Sequence, residues 1–106
     1  MANIIHELYK TVYIIGRSPH YVLTTKRHEN WIFTQRANSL ELLAQLLVEN
    51  SKSRIESLDS ITTLNATMYN PSDESLKEPI CEKEILQFYK FYVHAVQRRK
   101  DRLSAV

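Results

Sequence analysis

Glycine is nearly absent from this chain: Gly16 is the only one in 106 residues. Glycine supplies positive backbone φ and lets a main chain approach a phosphate closely. With only one, the chain has no phosphate-binding P-loop, no G-x-G-x-x-G dinucleotide turn and no glycine-flanked nucleophile elbow. Cysteine is equally scarce. Cys81 stands alone, which excludes an internal disulfide and the multi-thiolate zinc modules, and fits a reducing compartment. Apolar runs are short as well, none approaching the ~20 residues that cross a bilayer. Glu7 and Lys10 interrupt Ile4, Ile5 and Leu8 before they resemble a signal peptide. A cytoplasmic protein without membrane attachment is expected.

What is present suits a folded domain. Hydrophobic residues make up 43% and charged residues 25% of the chain, enough apolar surface to fold and enough charge to stay dissolved. At this length the expectation is one domain spanning 1–106 with a single core. The net charge of +2 conceals a segregated layout. Residues 1–36 carry five basic side chains against two acidic, residues 37–84 carry four against nine, and residues 85–106 carry five against one. A basic–acidic–basic order of this kind can pair internally, orient a head-to-tail dimer or steer a charged partner.

The expected fold class is α+β, a single small helix-rich domain. Residues 3–15 carry two conflicting signals. Ile4, Ile5, Leu8, Val12 and Ile15 recur at helical spacing ahead of Gly16 and Pro19, whereas Thr11-Val12-Tyr13-Ile14-Ile15 is a β-branched run. The longer pattern favours an N-terminal helix, with a strand as the alternative. Residues 20–36 read as an antiparallel β-hairpin, with Tyr21–Lys26 and Trp31–Arg36 rich in β-branched and aromatic residues. A three-residue loop, His28 to Asn30, sets Arg27 opposite Trp31. It gathers Tyr21, Leu23, Trp31 and Phe33 on one face, leaving Val22, Thr24, Lys26, Ile32, Thr34 and Arg36 on the other.

An amphipathic helix is expected over 39–54, with Asn38 and Glu41 at capping-box spacing and Leu40, Leu43, Ala44, Leu47 and Val48 as its stripe. Residues 55–69 are divided between periods, with helix slightly favoured by Leu58, Ile61, Leu64 and Met68. Asn70-Pro71-Ser72-Asp73 is a turn signal, and the acidic stretch to Pro79 reads as loop. A long helix over 82–103 closes the chain, acidic at its start and basic at its end in accord with the helix dipole.

Candidate chemistry is thin. His6, His20, His28 and His94 lack metal-ligand spacing, and the Glu82/Glu84 and Asp73/Glu74 pairs suit capping and solvation. His94 reads as a partly buried packing residue and Cys81 as a small apolar filler. No catalytic residue, metal site or cofactor is expected, and the chain does not read as an enzyme.

Two surfaces stand out instead. Tyr89, Phe91 and Tyr92, with Phe88, spread apolar groups over more than half of the last helix, which suits core packing or burial against a partner or second copy. Arg98, Arg99, Lys100 and Arg102 put four cations in five residues. The leading expectation is a non-enzymatic protein that binds another protein through Tyr89, Phe91, Tyr92, Arg98, Arg99 and Arg102, as a regulator, accessory subunit or inhibitor. Small motif-free chains of this type are a common form for phage- or plasmid-encoded inhibitors of a host factor. A homodimer is a further expectation. The alternative is a nucleic-acid-binding domain that meets phosphates with Lys26, Arg27, Arg36 and Lys100.

Overall fold

The central strand decides the architecture, and it is not the helix that periodicity favoured. The computed structural model describes residues 4–16, 18–27, 30–50 and 54–104, with Trp31 and Ile32 as backbone only. Strand β1 spans Ile4–Tyr13. Of the residues that simulated a helical stripe, only Leu8 is buried; Ile4 and Ile5 are exposed, and Ile15 is 75% exposed. Alternation explains the confusion. His6 and Leu8 are buried on one face and Tyr9 and Thr11 on the other, so a strand buried on both sides shows no clean polar period. Gly16 sits at φ +72° in the turn that follows, where a side chain would be strained. It closes a strand and not a helix.

Strands β2 (His20–Arg27) and β3 (Asn30–Ala37) form the expected hairpin. From Thr25↔Phe33 through Val22↔Arg36 the pairing agrees with the register read from the sequence. The tip does not. Arg27 pairs with Asn30 and Lys26 with Trp31, with an irregularity between Thr25 and Lys26. A β-bulge therefore absorbs the residue that the expected three-residue loop would have held. His28 and Glu29 lie outside the described residues, as do the side chains of Trp31 and Ile32.

Helix α1 covers Leu40–Asn50, ending short of the expected residue 54. Ser39 caps it, not Asn38: the Ser39 hydroxyl accepts the Leu42 N–H at 3.1 Å. The helix expected over 55–69 does not form. A single 3-10 turn, Leu58–Ser60, leads into β4 (Ile61–Thr62), and β5 spans Met68–Asn70. Of Leu58, Ile61, Leu64 and Met68 only Ile61 is buried, so no helical stripe has a surface to pack on. The acidic stretch expected as loop supplies β6, Ser75–Pro79, hairpin partner of β5 across the predicted Asn70–Asp73 turn. The free edge of β1 recruits it, because unpaired buried backbone groups are costly.

The sheet runs β3-β2-β1-β6-β5 and is antiparallel, except that β4 lies parallel beside His6 and Glu7 of β1. The last helix, α2, spans Glu82–Ser104, as expected to within one residue. Both helices pack on the sheet face that carries Leu8 and Leu23, enclosing Leu43, Leu47, Phe88, Tyr92 and Ala95. This is an α+β fold with two α-helices among the described residues.

Candidate functional site

The two helices bring their C-terminal ends together, and that junction collects Tyr92, Arg98, Arg99, Lys100 and Arg102 from the residues singled out above. α2 aims Phe88, Tyr92 and Ala95 inward at spacings of four and three. The next positions on that side, Val96 and Arg99, reach the end of α1. Arg99 donates to the main-chain carbonyl of Val48, in the last turn of α1. A cation there also favours the negative end of the helix dipole. Arg102 pairs with Glu49 beside it, and this guanidinium holds the Glu49 carboxyl below its ordinary pKa.

Two grooves flank this seam. One, of about 480 Å³, is lined by Gln45, Val48, Glu49, Ala95, Arg98, Asp101 and Arg102. Its two carboxylates match its two guanidinium groups. The other, of about 320 Å³, is lined by Leu47, Val48, Arg54, Tyr92, Val96, Arg99, Lys100 and Leu103. It has an apolar floor and three cations on its rim, with no carboxylate among its lining residues.

The rim is held from below by one clamped peptide group. The Ile55 N–H donates to the Tyr92 hydroxyl at 3.1 Å. On the other side of the same peptide link, the buried His6 ring hydrogen-bonds the Arg54 backbone, a contact that favours the charged ring and so engages the carbonyl oxygen. His6 Nδ1 also meets the Thr25 hydroxyl at 2.9 Å. Burial outweighs that carbonyl and lowers the His6 pKa, so the ring is a neutral tether in a dry site.

The proposed contact residues therefore divide. Tyr92 and Arg99 line the cationic groove with Lys100, while Arg98 and Arg102 line its neutralised neighbour. Tyr89 and Phe91 are partly buried against the core on either side of the Phe88–Tyr92 line, and the Tyr89 and Tyr92 rings stack at 6.4 Å. Lys26 and Arg36 share the sheet face opposite the helices, as expected from the hairpin register. There Arg36 donates to the Tyr13 hydroxyl at 3.3 Å. Arg27, opposite Ile4, falls on the helix side. The four residues expected to meet phosphates are thus not brought onto one surface.

Other expectations change in place. His94 is exposed, not packed, and Cys81 is exposed, its thiol donating to Glu84 at 3.3 Å. Glu84 also accepts from the Tyr21 hydroxyl at 3.2 Å, and Asp73 from Ser75, so part of the acidic segment serves internal contacts. Arg54 and Leu103 escaped the sequence reading as contact residues. Arg54 follows a polar stretch with no stripe of its own, and only the clamp beneath it aligns it with α2.

Compared with known proteins, the chain matches no protein family, no curated protein and no solved structure. No helix among the described residues is long and apolar enough to cross a membrane.

Proposed function

We propose that this chain is a small non-enzymatic cytoplasmic protein that works by binding another protein at the junction of the two helix C-termini. The observation that carries the reading is the groove beside the seam, in which the Tyr92 and Val96 floor lies under Arg54, Arg99 and Lys100. An apolar centre with a charged rim is the usual anatomy of a protein contact, the rim guiding encounter and the centre setting lifetime. The nucleic-acid alternative has less support. Lys26 and Arg36 lie on the sheet while Lys100 lies on α2, and the Tyr92 ring is buried with its hydroxyl engaged, so it offers no stacking platform.

The test is capture from the native host with the immobilised wild-type chain and an Arg54→Glu/Lys100→Glu variant. A protein retained by the wild type and lost from the variant is expected. Equal retention by both, or retention of nucleic acid that falls steeply with salt, would count against the reading.

A further inference from the structure

We infer that the cation-rimmed groove takes an acidic peptide segment carrying an apolar anchor residue. This inference rests on the protein-binding reading above and names the chemistry of the partner.

Charge complementarity selects the peptide's sign. Arg54, Arg99 and Lys100 border a groove whose lining holds no carboxylate, whereas Glu49 and Asp101 stand among the lining residues of the neighbouring one with Arg98 and Arg102, where Glu49 pairs with Arg102 and also feels the Arg99 charge. Like charges gathered around one small opening raise each other's energy, and an incoming anion relieves that repulsion. The two grooves share Val48 and the same pair of helices, so the contrast arises from side-chain identity and not from fold.

The floor selects the anchor. Leu47, Val48 and Tyr92 are buried beneath the groove, and Leu103 stands 69% exposed at its mouth. A volume of about 320 Å³ lies at the low end of the roughly 300–1,000 Å³ usual for ligand sites. It suits a large side chain or two rather than a whole helix. Its openness to solvent disfavours a free fatty acid, which needs most of its surface enclosed. An aliphatic floor likewise gives nothing to a phosphate–sugar backbone.

The rim is also preorganised. Arg99 is pinned by the Val48 carbonyl, and the Arg54 main chain is held by His6 on one side and Tyr92 on the other. Fixing the Arg99 cation and the backbone that carries Arg54 before the partner arrives reduces the ordering cost of binding.

Fluorescence anisotropy with short labelled peptides tests this. One alternates glutamate with leucine or phenylalanine, a second replaces the apolar positions by serine, and a third replaces glutamate by lysine. Only the first should bind, and Arg54→Glu/Lys100→Glu should weaken it by about tenfold or more, as loss of complementary charge at an interface does. Lys90→Ala, exposed on α2 and lining neither groove, should leave affinity unchanged, and circular dichroism checks that each variant is folded. Equal binding of the serine peptide, unchanged affinity in the double variant, or tighter binding of oleate or a single-stranded oligonucleotide would overturn the inference. If a native protein partner depends on Arg54 and Lys100 but docks through a basic or neutral segment, this inference falls and the protein-binding reading stands.

Discussion

On the helix side of the sheet, Leu8 and Leu23 are buried by whole elements, with Leu43, Leu47 and Phe88 packed across from them. On the opposite side, Tyr9 and Val22 are as well buried, yet neither belongs to that core cluster and no described helix packs there. Their cover is lateral. Lys77 lies over the Tyr9 ring at 5.2 Å, Arg36 reaches the Tyr13 hydroxyl, and the Tyr13 ring meets His20 edge-on at 5.8 Å. Long side chains can shield apolar surface while their charged heads stay in water. Equal burial therefore conceals two different kinds of environment. The helix side is close-packed and rigid, whereas the open side is thatched by groups that can rearrange. His20 Nδ1 and Thr24 Oγ1, buried on the open side with no hydrogen-bond partner among the described residues, fit this looser cover.

This contrast makes four predictions, measured by urea unfolding. Phe88→Ala, at the centre of the helix side, should cost about 3–5 kcal/mol, because a rigid surround leaves a cavity. Tyr92→Phe should cost about 1–3 kcal/mol, since the Ile55 N–H loses its buried acceptor. It should also speed hydrogen exchange at Ile55. Val22→Ala should cost only about 1–2 kcal/mol, the transfer of the removed methyl groups with little cavity penalty. A loss at Val22 as large as that at Phe88 would mean that something else covers the open face in solution. Lys77→Ala should cost about 0.5–1 kcal/mol, the range of an exposed cation–ring contact.

A pH series probes the helix side separately. Burial lowers the His6 pKa from its ordinary value of 6.5 in the folded chain. Below that pH the unfolded chain takes up a proton that the folded chain resists. His6 thus contributes no pH dependence well above 6.5, and stability falls as pH drops through that value. His6→Gln should flatten this slope. An unchanged slope would show that the ring is not kept dry.

The parts legible in the sequence were those set by near neighbours. The last helix could be read from its charge gradient and the repeat of Ile85, Phe88, Tyr89, Tyr92 and Val96. The body of the hairpin could be read from alternating Tyr21, Leu23 and Phe33. The site was half legible: Arg99, Lys100 and Tyr92 stood out as cations and a ring. Tyr92 was expected either in the core or at a partner contact, and its hydroxyl turns inward to hold Ile55. Arg54 gave no sign, because its place depends on His6, which lies far away along the chain.

Local composition alone settled the charge segregation, the long amphipathic helix and the hairpin, since each depends on residues a few positions apart. Only tertiary packing decided that residues 4–13 are a strand, that an acidic stretch becomes its neighbour, and that Arg54 joins α2 around one groove. Backbone hydrogen bonds across a sheet and a peptide clamped between two elements join residues distant along the chain. A short-range pattern carries no record of which distant partner will satisfy them.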